Sequence, residues 1–368
     1  MEPLFQKVII IGVGLIGGSM GMALCSRGLA ETVVGVDIDP ANLKLAVELE
    51  AIHEGSTDPC RASADADLVV IAIPVGLTIE MIIRIAPFIR AGCIVTDVGS
   101  TKSAIVEEAE KLMPPGAVFV GGHPMAGSEI AGVRGADRYL FENAVYLLTP
   151  TKKTEGTTLF RIEELVDALG ARVIKIPPGE HDLMVAAVSH LPHLIATALV
   201  NTAGELEKDH RGMLMLAAGG FRDTTRIASG QPLMWKDVCL TNQKSILEVL
   251  DRFSSVLSRT RQMIQACDSK GLEEDFTRAR QLRSRMPSKV KGYLPAAHEI
   301  IVTVPDKPGV IAFLAGLLGE RGININDIEI MRVREGEGGT IRLALGSEED
   351  QAVAVEVFKK QGINVKKR

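Results

Sequence analysis

The sequence predicts a doubly wound α/β domain, followed by an all-helical domain and a small βαββαβ plait. Three observations carry that prediction. Over residues 7–175, short runs of Val and Ile alternate with helical periods, the signature of parallel strands buried on both faces. From about residue 180 to 285 the strand pattern stops, and it returns near the C-terminus. The length of 368 residues exceeds the roughly 250–300 at which single cores stop growing. The expected divisions are 1–175, 176–285, a linker over 286–296, and 297–368.

In the first division, Val8–Gly12, Thr32–Asp37, Leu68–Ile73, Cys93–Asp97, Val118–Gly121 and Ala144–Leu148 read as strands. Ser19–Arg27, Pro40–Leu49 and Lys102–Lys111 read as helices between them, which is βαβ organisation. In the second, Glu180–Glu207 and Asn242–Asp268 are long helical stretches. The latter places Ile246, Leu250, Phe253, Leu257 and Ile264 on one face. Such elongated helices leave apolar faces over, so a homodimer is expected. Leu183–Val200 is very apolar but contains Ser189, His190, Pro192 and His193, and reads as a buried helix, not a membrane span. Pro287, Gly292 and Pro295 among basic residues mark the linker. Beyond it come a strand over Glu299–Val304, a turn at 306–309 and a helix ending near Gly322. Ile323–Val333 and Thr340–Leu345 then pair across a glycine-rich loop, before a helix over Ser347–Gln361 and a strand over Ile363–Lys366.

The net charge of −5 argues against a nucleic-acid partner, which needs a basic surface. Cys25, Cys60, Cys93, Cys239 and Cys267 are odd in number and lack CxxC spacing, the pattern of reduced thiols. The N-terminal apolar run is broken by glycines and precedes no cleavage motif, so it reads as strand and turn. A cytoplasmic protein without a membrane partner is expected.

The run Gly12-Val13-Gly14-Leu15-Ile16-Gly17 lies between a strand and a helix, the context of a Rossmann dinucleotide site. Gly12 permits the turn, Gly14 admits the pyrophosphate, Gly17 lets helix and strand pack, and the amides after Gly14, at Leu15 and Ile16, face the phosphates. Asp37 ends the second strand, where a carboxylate accepts from ribose hydroxyls and repels a 2′-phosphate. That favours NAD over NADP. The plainer alternative is a shaped turn and a capping aspartate. Pro74 and Val75 end a later strand at the same edge, as cofactor neighbours or as a simple strand terminator.

Four polar clusters remain: Asp97–Lys102, Gly121–Glu129, Ser189–His193 and Gly219–Arg226. His123 follows a strand in a glycine-rich loop, where a neutral imidazole can accept a substrate proton; a turn histidine without a role is the alternative. His190 and His193 share a helix face, as core histidines or as metal ligands lacking a third partner. Arg226, in a Gly/Thr-rich loop, suits forked recognition of a carboxylate, or a surface ion pair.

In this order, the segments GLIGGS, DVGSTK, GGHPMAGSE, SHLPH and FRDTTRIA resemble the prephenate and arogenate dehydrogenase family of tyrosine biosynthesis over residues 7–285. The resemblance implies that His123 bonds the substrate's ring hydroxyl, that Ser100 orients His123, and that His193 and Arg226 hold the substrate. It places Glu129 and Trp235 near the site, and Arg222 where some relatives carry lysine. The substrate would be prephenate or arogenate. The C-terminal segment resembles an ACT domain through Val302–Val304, Asp306-Lys307-Pro308-Gly309 and Asn324–Ile328. That resemblance implies L-tyrosine as effector, with Asp306, Gly309, Val310 and Asn326 as ligand candidates, or a plait used only for pairing. Two other classes fit the residues less well. A β-hydroxyacid dehydrogenase would use a lysine of the helical domain and fits SHLPH and FRDTTR poorly. A sensor of NAD and amino acids without catalysis needs no proton acceptor.

Overall fold

The computed structural model of the chain describes residues 2–127, 130–285, 298–305, 307–331 and 339–367. Two compact units emerge, Met1–Gly292 and Tyr293–Arg368. The expected linker 286–296 lies outside the described residues.

The first unit opens with β1 (Phe5–Ile11), α1 (Leu15–Ser26), β2 (Ala30–Val36), α2 (Pro40–Glu48), β3 (Glu54–Ser56), α3 (Pro59–Ser63) and β4 (Leu68–Ile71). It continues with α4 (Thr78–Ile85), β5 (Ile94–Asp97), α5 (Ser103–Leu112), β6 (Val118–Pro124), β7 (Val145–Thr149), α6 (Gly156–Ala168) and β8 (Arg172–Lys175). Eight strands form one sheet in the order β3-β2-β1-β4-β5-β6-β7-β8. Strands β4 and β5, and β1 from Val8 onward, are buried, as their Val/Ile runs require. Apolar clusters pack on both faces of the sheet: Ile10, Val33, Val70 and Phe141 on one, Ile9, Val69, Ile82 and Val95 on the other. The sheet departs from the expected all-parallel form at one place. β7 runs antiparallel to β6, pairing His123 with Leu147 and Pro124 with Tyr146. The chain between them returns without a helical crossover, which a parallel pairing would need.

The helical part holds α7 (Pro178–Val185), α8 (Leu191–Leu206), α9 (Gly219–Thr225), α10 (Pro232–Thr241), α11 (Gln243–Gln265) and α12 (Ser269–Ser284). Between α7 and α8, residues Ala186–His190 form a π-helical turn. Pro192 follows it; having no N–H, it leaves the carbonyl four residues back without its α-helical donor, which favours the widened turn. The helix expected to be buried is only half so. His181, Asp182, His190 and His193 point inward, whereas Met184 and Val188 stand exposed. Its full length, Pro178–Leu206, is long and apolar enough to cross a membrane by length and composition alone. On α11, Ile246 is buried but Leu257 and Ile264 of the same stripe are exposed.

The second unit comprises β9 (His298–Thr303), α13 (Val310–Gly319), β10 (Ile325–Met331), β11 (Thr340–Leu345), α14 (Glu348–Lys360) and β12 (Asn364–Lys367). Its four strands are antiparallel in the order β10-β11-β9-β12, the expected βαββαβ plait. Ile300, Val302, Leu314, Leu343 and Phe358 build its own core. Gly309 precedes α13 with φ +89, a conformation costly for other residues. One feature was not anticipated: buried Arg342 is paired with Glu299, Asp327 and Glu329.

Candidate active site

The strand order reverses between the parallel neighbours β1 and β4, and a crevice at such a point takes ligands in doubly wound sheets. Gly12 turns at φ +94, and a Cβ there would stand 2.6 Å from the Ala72 carbonyl oxygen. At Gly14 the same position meets nothing within 4 Å, so backbone is open to a ligand. Helix α1 starts at Leu15 with no side-chain cap and no acid in its first turn, leaving the amides of Leu15, Ile16 and Gly17 suited to an anion. Asp37 lies just past β2. Its carboxylate accepts from Val13 N (3.2 Å), Asn42 Nδ2 (2.9 Å) and Asp39 N (3.0 Å), which fixes it beside the glycine turn. Pro74 is exposed at the crevice and starts a short 3₁₀ turn, while the Val75 side chain is buried in the core. A pyrophosphate and an adenosine ribose fit these groups; Val75 has only backbone to offer.

On the neighbouring strands, His123 near the end of β6 meets α7. Its Nδ1 lies 2.9 Å from His181 Nε2, and His181 Nδ1 lies 2.8 Å from Asp182 Oδ1. Asp182 is held in turn by the backbone amides of Lys102 and Ser103, each at 2.8 Å. These contacts suit one arrangement of protons. A carboxylate only accepts, so His181 carries its hydrogen on Nδ1 and presents an Nε2 lone pair. His123 must then donate from Nδ1, and its own Nε2 is left as an acceptor. Burial, reinforced by His181, Lys102 and His190, holds His123 well below the ordinary histidine range, with Asp182 opposing. Burial alone would raise the Asp182 carboxyl, but the bonds from His181, Ser103 and Lys102 outweigh it and lower it. The result is a neutral imidazole with a free lone pair, a general base.

Asn242 extends this network, donating from Nδ2 to the Asp182 carbonyl (2.8 Å) and to His190 Nδ1 (3.2 Å). Burial pushes His190 down to about 4. Trp235 on α10 links the next pair. It meets His190 edge-on and stacks on His193 at 3.6 Å with an interplanar angle of 8°. His193 is buried and its Nδ1 has no partner among the described residues, as suits a nitrogen awaiting a ligand. Burial lowers His193, and a hydrogen bond with the Ile227 backbone opposes the shift. Arg226 precedes Ile227 in the chain and is exposed.

The structure thus links His123, His193 and Trp235 through one network of His181, Asp182, Asn242 and His190. Arg222 is exposed on α9. The segment carrying both arginines is helical rather than the expected loop, α9 passing into a 3₁₀ turn at Arg226–Ser229. Ser100 is half-buried after β5, and the ring partner expected of it is His181 instead. Glu129 and Asp306 lie outside the described residues. Asn326 accepts from Asn324 Nδ2 at 3.0 Å, and Gly309 and Val310 open α13. The sequence reading missed His181, Asp182 and Asn242. The adjacent His-Asp pair at a helix start was a local signal, but its partner is 58 positions away.

A glycine turn under an uncapped helix, with an imidazole base on a nearby strand, defines a dinucleotide-dependent dehydrogenase. Comparison with known proteins makes the class particular. Residues 20–175 match the profile "Prephenate dehydrogenase, nucleotide-binding domain", 177–278 "Prephenate dehydrogenase, dimerization domain" and 298–362 "ACT domain". The chain is 35% identical to prephenate dehydrogenase of Bacillus subtilis, covering 95% of both chains. It is also 35% identical to that of Lactococcus lactis, covering 96% of this chain and 98% of the relative. The prephenate dehydrogenase of Aquifex aeolicus, solved with hydroxyphenyl propionate and NAD+, superposes with a TM-score of 0.72 at 33% identity, over 77% of this chain and 98% of that one. Synechocystis arogenate dehydrogenase gives 0.67 at 30% identity, over 76% and 99%. The chain belongs to the prephenate dehydrogenase family.

Proposed function

We propose that the chain catalyses NAD-dependent oxidative decarboxylation of prephenate to 4-hydroxyphenylpyruvate in L-tyrosine biosynthesis. The observation that carries this reading is the Asp182–His181–His123 chain, which ends on an unprotonated His123 Nε2. Bound NAD supplies the hydride acceptor. As hydride leaves C4, His123 takes the ring hydroxyl proton; as CO2 departs and the ring becomes aromatic, His123 returns it to the phenolate oxygen. The enzyme's share is to hold the dianion, with Arg226, Arg222 and His193 meeting its polar groups, and to keep a base at the hydroxyl. Ser100 would touch the same hydroxyl.

Residues 1–175 would hold the nucleotide through Gly12, Gly14, Gly17 and Asp37. Residues 176–285 would complete the substrate site and pair two copies into a homodimer, and 297–368 would bind L-tyrosine near Asp306, Gly309, Val310 and Asn326 as a feedback inhibitor. Five free cysteines suit a cytoplasmic enzyme. The likeness to an arogenate dehydrogenase favours arogenate as the second substrate reading. Following NADH absorbance with each dienol tests both: turnover of prephenate above arogenate is expected, and an inert protein with both refutes the reading. Adding L-tyrosine to saturation should lower the rate; an unchanged rate leaves the C-terminal unit without that role.

A further inference from the structure

The proton-transfer chain does not use the most deeply buried charges of the molecule. Lys102 and Asp97 are both completely buried, ammonium against carboxylate. Asp97 ends β5, and besides Lys102 it accepts from Gly99 N at 2.9 Å and from Gly122 N at 3.2 Å. Gly122 directly precedes His123. The Lys102 stem passes under the same strand end, since a Cβ on Gly121 would stand 3.1 Å from Lys102 Cδ. The Lys102 backbone amide, for its part, holds Asp182. One residue therefore reaches the base from behind by its side chain and through the relay by its backbone.

An ion pair out of water is a poor way to stabilise a core, because desolvation offsets most of its attraction and an apolar pair of the same volume serves as well. Its location argues for another task. Two of the Asp97 bonds are spent on backbone amides, and the acids that support the Lys102 ammonium are Asp97 and, less strongly, Asp182.

We propose that Lys102 is a positioning residue for the base: with Asp97 it fixes the strand end that carries His123, and its buried positive charge disfavours a second proton on that ring. The groups facing His123 are His181 and Asp182 from α7, His190 from the π turn, Lys102 and Asp97 from the end of β5 and the start of α5, and Tyr146 from β7. Burial pushes His190 down, and the Tyr146 hydroxyl is pushed up by burial and by Asp97, so it stays protonated. Among these neighbours Lys102 is the fixed cation. Burial pulls its own ammonium down while Asp97 and Asp182 support it, and the ordering of influences on His123 places Lys102 after burial and His181.

The inference rests on His123 being the base, and the test separates the two. The full chain is assayed for kcat/KM with prephenate across pH, as wild type and as Lys102→Met, Lys102→Arg, Asp97→Asn/Lys102→Met and His123→Asn. Removing the cation should raise the midpoint of the acid limb by about 1 pH unit in Lys102→Met, and Lys102→Arg should restore it. If Lys102→Met does not fold, the double variant, which leaves no unpaired buried charge, carries the test and should show a smaller rise in the same direction. A folded variant without the cation whose acid limb coincides with wild type overturns the proposal and leaves Lys102 a structural residue. Retention of the acid limb in His123→Asn overturns instead the assignment of the base.

Discussion

The proton on His123 is decided two side chains away. Asp182 accepts from His181, His181 accepts from His123, and the outer nitrogen of His123 is left for the substrate. Replacing Asp182 by Asn lets an amide donate to His181 and reverses the sequence of donors. Carboxylate-to-amide changes in such relays cost on the order of 10⁴ in turnover. Asp182→Asn should lose a comparable factor in kcat while binding NAD as wild type does, measured by quenching of protein fluorescence; a loss below about tenfold would sink the relay. The base itself should matter as much. His123→Ala should lose on the order of 10²–10⁴ in kcat with NAD affinity kept, and single-turnover NADH formation measures it. The glycine turn and Asp37 were legible because their work is done by backbone and by an acid at a fixed spacing. The relay was not, since nothing local marks His181 as a neighbour of a strand residue 58 positions earlier.

At the scale of elements, the expected strands appear within a few residues of their places wherever Val and Ile run unbroken. The short edge strands β3 and β8 escaped notice, being Glu-Gly-Ser and half-exposed Arg-Val-Ile-Lys rather than apolar runs. Helix α9 escaped because Gly and Thr read as loop, although packing against α8 favours a helix there. Between α8 and α10, His193 and Trp235 stack face to face. A Cβ on Gly230 would stand 2.5 Å from Trp235 Nε1 and 3.2 Å from His193 Cε1. Gly230→Ala should therefore displace the stack and raise KM for prephenate roughly tenfold, about 1.4 kcal/mol, leaving KM for NAD unchanged. Trp235 is the single tryptophan, so its emission should shift with the same substitution; equal emission and equal KM would show that the stack tolerates the methyl.

For the molecule as a whole, three depressed histidines make acid costly. Burial lowers His123, His190 and His193 in the folded state, while the unfolded chain protonates them near 6.5. With folded values below unfolded ones, their contribution to stability is complete above about pH 6.5 and is lost as pH falls toward the folded values. For His190, falling to about 4, the loss amounts to up to about 3 kcal/mol. Thermal melts should drop steadily from pH 7 to pH 5, and a double variant His190→Gln/His193→Gln should flatten that slope; equal slopes would assign acid sensitivity elsewhere. The three-part organisation was legible at this scale from periodicity alone. The reversal of β7 was not, because a strand's direction is set by its connection and not by its composition.

That reversal has a mechanical consequence. Paired with Leu147 across the antiparallel ladder and bonded to His181, His123 has little freedom to travel. The arginines ride instead on a seven-residue helix and a single turn. An anvil and a hinged jaw differ in the same way: on the proposed function, the adjustment that admits prephenate and releases its smaller, decarboxylated product would fall to the segment that carries the arginines.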